Sequence, residues 1–410
     1  MENTIKIAVA GLGGRGQDLI AHAILPACAD YGIEIAAVYD PYEDRKAEGV
    51  RLVQEATGKA PVGVTDYQEI LNDPEIKGVI ISSAWESHIP LAVAAMKAGK
   101  YAAMEVGGAY SLEDCWKLVD AYEETGMHCM LLENCCYGEN ELMVLNMVRQ
   151  GIFGEIVHCS GGYHHDLRGE IAGGKENRHY RLRNYLNRNC ENYPTHELGP
   201  IAKVLDINNG NRMVSLTATA SCAKGMHEYI VKTKGADHPL ASAEFAQGDI
   251  VTTVIKCAKG QTITLVLDTT LPRLYSRAFT VRGTKGSFFE DMNMIFIEGV
   301  HKEDWSDGPL QDNANAYKKS HAHPLWQNYT AIGGHGGMDY LVVSAFFESM
   351  TTGTRPPIDV YDAAAYMCIT ALSEESIHKG SAPVAIPDFT RGNWYMREDI
   401  TDSKYNLDRV

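Results

Sequence analysis

Ile5-Lys-Ile-Ala-Val-Ala10, running into Gly11-Leu-Gly-Gly-Arg-Gly16, is the stretch that decides the fold. A short apolar run enters a glycine-rich turn, and a helical pattern with Leu19, Ile20, His22 and Ile24 follows. Strand, Gly-x-Gly-x-x-Gly and helix in that order make a dinucleotide-binding unit. Gly11 permits the tight turn, Gly13 lets backbone approach a pyrophosphate, and Gly16 lets the helix pack closely. The helix N-terminus adds amide donors and the positive end of its dipole. A second apolar run, 33–38, ends in Tyr39-Asp40, 24 residues past Gly16. An acid there accepts from a ribose diol and repels a 2′-phosphate, which selects NAD over NADP.

Outward from this unit, strand and helix patterns alternate through 78–82, 88–98, 101–105, 112–124 and 127–132. Ligands of such sheets bind at the carboxyl ends of the strands. Those ends carry Ser82-Ser-Ala-Trp-Glu-Ser-His88, Glu105-Val106 and Glu133-Asn134, and Trp85 and His88 are expected to touch the cofactor. The expected architecture is α/β: an N-terminal Rossmann domain over 1–135, then an α+β domain over 136–410 with an open, mainly antiparallel sheet.

Composition bounds the function. At 410 residues, two domains are the default, and 45% hydrophobic with 22% charged residues suits a globular protein. A net charge of −16 argues against nucleic acid or an anionic membrane surface as partner. No run of 18 apolar residues occurs, so no membrane span is expected. The strand pattern starting at Ile5 leaves no room for a signal peptide, and ten cysteines lack CxxC spacing. Reduced thiols in a cytoplasmic protein are expected.

The second half turns strand-rich at 156–163, 214–220, 250–256, 262–268 and 278–282, with hairpin turns at 258–260 and 283–286. Helical patterns resume at 338–350 and 362–376, and 301–334 reads as a long surface loop. A broad sheet face suits homo-oligomer contact. Within this half stands Tyr163-His-His-Asp-Leu-Arg168, then Arg181, Arg183 and Tyr193-Pro-Thr-His196. Histidine moves protons near neutral pH, a tuned tyrosine can do the same, and arginine forks onto anions or sugar hydroxyls. Tyr163, His165, Tyr193 and His196 are therefore the candidate acid–base residues. On a strand His164 would point the other way, and Arg168 is expected to pair with Asp166. His321-Ala-His323, with His335 nearby, lacks a persuasive acidic ligand, so no metal is expected.

In order and length the chain resembles the Gfo/Idh/MocA oxidoreductases, which pair a Rossmann domain with an open-sheet domain. Their Glu-Lys-Pro, whose lysine often serves hydride chemistry, is here Glu105-Val106-Gly107. A narrower resemblance rests on Leu132-Glu-Asn-Cys-Cys-Tyr137, residues 146–155, His165-Asp-Leu-Arg168, Tyr193-Pro-Thr-His196, Leu198-Gly-Pro200 and Leu274-Tyr-Ser-Arg277. These are similar to the NAD-dependent glycosidases of glycoside hydrolase family 109, best known for α-N-acetylgalactosaminidase activity. The resemblance implies that Gly14, Arg15, Asp40, Trp85, His88, Glu105 and Asn134 hold NAD. It also implies that Tyr163, Arg181, Tyr193, His196 and Tyr275 hold the sugar. Glu197 stands where that branch usually has glycine, and a changed sugar preference is expected there.

The implied reaction is redox-neutral. Oxidation at C3 acidifies the C2 proton, a base removes it, the anomeric group leaves, water adds, and C3 is reduced again. The alternative is an NAD-dependent sugar or cyclitol dehydrogenase, which the missing lysine disfavours. A third, a non-catalytic NAD and sugar sensor, is disfavoured by the dense Tyr/His cluster.

Overall fold

The computed structural model describes residues 4–302, 312–397 and 403–408. Its first sheet is built from β1 (Ile5–Ala10), β2 (Ile33–Tyr39), β3 (Val62–Val64), β4 (Ile76–Ile81), β5 (Tyr101–Met104) and β6 (Cys129–Leu131). Their order is β3-β2-β1-β4-β5-β6, and every pairing is parallel. Helices cover both faces, so the central strand cannot alternate polar and apolar residues: Ile7, Ala8, Val9 and Ala10 are all fully buried.

The turn after β1 explains two of the glycines sterically. Gly11 has φ +94°, and a Cβ there would lie 2.4 Å from the Ser83 backbone nitrogen. A Cβ on Gly16 would sit 2.0 Å from the Gly11 carbonyl oxygen. The helix beyond runs Gly14–Leu19, widens to a π-helical stretch at Ile20–Ile24, and regains α geometry at Leu25–Tyr31. Pro26 stands at the start of that last segment, where its missing N–H costs least.

The second sheet holds β7 (Ile156–His164), β8 (Met213–Ala220), β9 (Ile250–Cys257), β10 (Thr262–Asp268), β11 (Thr280–Gly283), β12 (Gly286–Phe289), β13 (Met294–Ile297) and β14 (Val384–Ala385). Its order is β13-β12-β11-β7-β10-β9-β8-β14. All neighbours are antiparallel except β7 and β10, which run parallel with Tyr163 opposite Leu267. The helices Thr195–Val204 and Val360–His378 pack on this sheet, against β7 and β8 respectively.

One expectation is corrected. The segment 301–334 is not simply a loop: Asn315–His321 and Pro324–Gln327 are helical, while 303–311 lie outside the described residues. His323 caps the second of these helices by accepting from the Leu325 amide, a local signal that polar composition masked. The helix Met338–Thr352 then returns to the first sheet, where a Cβ on Gly78 would lie 2.6 Å from the Met350 sulfur. Among the described residues no helix is long and apolar enough to cross a membrane, and all ten cysteines are unpaired.

Candidate active site

The carboxyl ends of β1, β2, β4, β5 and β6 open onto one crevice, and the first domain's candidate residues gather there. A Cβ on Gly14 would meet no atom within 4 Å, and one on Gly13 would meet nothing nearer than the Arg45 guanidinium at 3.6 Å. Unlike Gly11 and Gly16, these glycines are not demanded by the chain's own packing. They line open space at a helix N-terminus, a cradle that fits a pyrophosphate. Asp40 is buried and ties this cradle to β2, accepting from the Leu12 amide at 2.8 Å and the Tyr42 amide at 2.9 Å. A carboxylate offers about four lone-pair sites, so both oxygens retain capacity for a ribose diol. The donor set therefore fits NAD.

Arg15, Glu105 and Asn134 meet in a network instead of projecting singly. Arg15 Nη2 lies 2.9 Å from Glu105 Oε1 and 3.0 Å from Asp339 Oδ1, and Nη1 lies 2.8 Å from Asp339 Oδ2. Asn134 Nδ2 donates to Asp339 Oδ1 at 2.7 Å, and His335 Nδ1 reaches Oδ2 at 2.8 Å. The guanidinium thus fills the space between Asp18, His335 and Asp339, three groups that could otherwise hold a cation. Burial pushes the Asp339 carboxyl up, but His335 and Arg15 outweigh it and hold it well below the usual range. His88 is buried, hydrogen-bonded through Nε2 to the Ser83 carbonyl at 2.9 Å, and pushed down to about 4 by burial. It is a neutral prop for the loop after β4.

Across the crevice, β7 presents Tyr163 on the face that receives the helix Thr195–Val204. Strand alternation turns His164 away, as expected. Tyr163 Oη lies 3.1 Å from His165 Nδ1. Tyr193, one turn ahead of His196, stacks on Tyr163 with ring centroids 4.2 Å apart, and its hydroxyl lies 3.5 Å from His196 Nε2. On the far side of the imidazole, Nδ1 lies 2.7 Å from Glu133 Oε1. The result is a chain Glu133–His196–Tyr193 stacked against a second pair, Tyr163–His165.

Arg181 closes one side. Its guanidinium lies 4.9 Å from the Trp85 ring and 5.0 Å from that of Tyr193, and its Nε pairs with Glu170 at 2.5 Å. Trp85 stands between Tyr180 and Tyr193, at 4.7 and 5.6 Å, with its indole N–H buried and without an acceptor. Tyr275 is 53% exposed and meets His165 edge-on at 5.1 Å, so it forms the outer rim. The wall is fastened to the first domain by Arg178 on Asp44, at 2.5 and 3.0 Å, by Arg45 on the Asn177 carbonyl at 2.8 Å, and by Arg183 on Glu86.

Electrostatics separates acids from bases. Burial holds the phenols of Tyr163 and Tyr193 above their ordinary value, so both are neutral proton donors at neutral pH. Burial, and then Arg181, push His165 down, which leaves its imidazole neutral. Glu133 is fully buried; burial raises its carboxyl, but the hydrogen bonds it accepts from His196 and the Cys135 amide outweigh that and hold it below the usual range. A carboxylate at Nδ1 holds the ring proton there and leaves the Nε2 lone pair toward Tyr193.

Sequence reasoning brought Tyr163, His165, Arg181, Tyr193, His196 and Tyr275 to one place. It passed over Glu133, although Glu133 stands at a strand end beside Asn134. It also passed over Tyr180 and Asp339. Arg168 pairs with Asp166 at 2.6 Å, as expected. His321 and His323 bond to Gln150 and the Leu407 carbonyl, and neither is placed to chelate. Glu197 is 1% exposed and lies against Gly161, with its carboxyl pushed well above the usual range by burial and the nearness of Glu191. Any influence it has on the sugar is therefore indirect.

Comparison with known proteins matches two family models along the chain. Residues 5–132 match the oxidoreductase family with an NAD-binding Rossmann fold, and 137–396 match the C-terminal domain of glycosyl hydrolase 109. The chain is 38% identical to an alpha-N-acetylgalactosaminidase of Tannerella forsythia, over 97% of this chain and 88% of that one. It is 37% identical to a glycosyl hydrolase family 109 protein of Solibacter usitatus, over 97% and 91%. Among solved structures, a levoglucosan dehydrogenase with NADH and L-sorbose aligns with TM-score 0.70 at 17% identity, covering 94% of this chain and all of that one. An inositol dehydrogenase homolog from Azotobacter vinelandii with NADH and myo-inositol aligns with TM-score 0.64 at 15% identity, covering 94% and 98%. These structures share the fold.

Proposed function

Because the chain belongs to glycosyl hydrolase family 109 and is an NAD-dependent glycoside hydrolase on an oxidoreductase fold, we propose that it cleaves a small glycoside, an α-N-acetylgalactosaminide or close relative, by redox-neutral elimination and addition. The observation that carries this reading is the Glu133–His196–Tyr193 chain stacked on Tyr163–His165 at the nucleotide crevice.

Gly13, Gly14 and Asp40 would hold NAD, which would supply an acceptor for the C3 hydride and a donor for its return. A sugar C2 proton is far too weak an acid to leave at pH 7, and a ketone at C3 makes it removable. His196, with Nδ1–H fixed by Glu133, offers Nε2 as base at C3 and C2, and Tyr193, its phenol kept protonated by burial, takes a substrate proton only while passing its own to Nε2. Tyr163 and His165 stand next to them and serve the leaving oxygen: a phenol kept protonated by burial is a suitable donor. Arg181, charged and desolvated among aromatic rings, favours the negative oxygen that develops during elimination. The buried network around Asp339 touches no proton of this sequence and positions the crevice. Val106 is buried in the apolar cluster with Trp85, so no lysine competes with His196 for the C3 hydroxyl.

Incubation of the purified protein with nitrophenyl glycosides in heavy water, without added cofactor, tests the reading. Released sugar carrying deuterium at C2 is the expected result. Stoichiometric NADH with the glycoside intact would replace it with a dehydrogenase.

A further inference from the structure

Behind the catalytic imidazole lies a second function for the same three-residue pocket. Glu133, Cys135 and His196 each bring one ligand atom to within 4.8 Å of the other two. Glu133 and Cys135 come from the turn after β6, where the Cys135 amide donates to Glu133 Oε1 at 3.0 Å and its sulfur lies 3.5 Å from Asn134 Oδ1. His196 comes from the facing helix, its side chain 11% exposed, and so reaches the crevice. Glu133 Oε2 is buried and makes no well-formed hydrogen bond. A buried carboxylate, with the Thr195 hydroxyl beside it, a thiol and an imidazole nitrogen make up a zinc-type donor set.

We propose that Glu133, Cys135 and His196 form an inhibitory site for a thiophilic divalent cation such as Zn²⁺. Zinc bonds of about 2.0–2.3 Å separate tetrahedral ligand atoms by roughly 3.3–3.8 Å. To reach that spacing the Glu133–His196 contact opens from 2.7 Å, and the thiol, already within 4.8 Å of both partners, adjusts to match. Three protein ligands leave the fourth position to water. A neutral imidazole carries one proton. With the metal on Nδ1, that proton must move to Nε2, and the lone pair that faces Tyr193 is gone. The thiol of Cys135 gives up its proton to solvent, so each ion bound releases one proton. The carboxylate and thiolate together balance the 2+ charge, and the Arg277 guanidinium beside Cys135 is itself paired with Glu141 at 2.5 Å, which suits a buried site. The cation thereby stops proton abstraction while leaving the cradle at Gly13 and Gly14 intact. The inhibitory effect, though not the binding, rests on His196 being the base as proposed above. The other candidate cluster, Asp18, His335 and Asp339, carries no such inference because Arg15 occupies it.

The test uses the NAD-loaded protein with its exposed Cys222 changed by Cys222→Ser. Added Co²⁺ is expected to bind at one ion per chain with a near-ultraviolet thiolate-to-metal absorption band. Zn²⁺ should abolish glycoside turnover, with NAD still bound, and a chelator should restore it. In Cys135→Ser, or Cys135→Ala if serine does not fold, the band should vanish and inhibition should need at least about tenfold more Zn²⁺. Metal-free turnover should persist in that variant. Co²⁺ binding without the band, or unchanged inhibition of the variant, would overturn the site. The band appearing in a protein that never turns over glycosides would uphold the site and defeat the glycosidase reading.

Discussion

His196 answers to two neighbours at once, a carboxylate behind it and a phenol before it, and substitutions should separate those relations. His196→Gln removes the base and is expected to lower turnover by about 10²–10⁴-fold, with NAD still retained, as read from absorbance of the desalted protein. Glu133→Gln keeps the shape, and its amide oxygen can still accept from the Cys135 amide and Nδ1–H, but the negative charge that stabilises the imidazolium is gone. Turnover should fall by at least about 10²-fold. Equal activity in Glu133→Gln would refute that role. Much of this was legible beforehand: period-two alternation put Tyr163 and His165 on one face and His164 on the other. Glu133 was not legible because its partner lies 63 residues away, and nothing local marks a strand-end acid as an orienting group.

At the scale of the element, the glycine loop shows why the first domain could be read so fully. Gly11 and Gly16 are fixed by contacts within a dozen residues or with one adjacent strand end, so spacing alone carries the signal. Gly11→Ala would place a Cβ against the backbone at Ser82 and Ser83 with φ still positive, costing at least about 1–3 kcal/mol. Urea unfolding with and without NAD measures this, and the variant should lose most of the stabilisation that NAD gives. The segment 315–327 is harder to read, because asparagine, serine and histidine suggest a loop while capping by His323 and apolar Leu325 set the second short helix. A composition argument averages over the positions that matter there.

Across the whole molecule, contacts between distant parts of the chain hold the site shut. Arg178 with Asp44 and Arg183 with Glu86 are solvent-facing pairs that screening weakens. The double variant Asp44→Ala, Glu86→Ala should therefore lose NAD only a few-fold faster during gel filtration while keeping its fold. The Arg15–Asp339 link spans 324 residues, which puts it beyond any motif. It also sets a pH window. The Asp339 carboxyl is held down, so its stabilisation is present above its unfolded value near 4 and is lost as pH falls below it. His335 is held up by Asp339, so its contribution is full below about 6.5 and fades as pH rises through its folded value. Thermal unfolding from pH 3 to 8 should show an optimum between these limits, and Asp339→Asn should flatten both limbs. The helix Met338–Thr352 that carries Asp339 also lays Phe346 and Met350 against Gly78 on the first sheet. During synthesis, then, the amino-terminal domain emerges first yet keeps an apolar flank bare until the ribosome has added about two hundred further residues. A nascent chain of this protein needs shelter for about half of its translation, and a stall before Met338 leaves a fragment primed to aggregate.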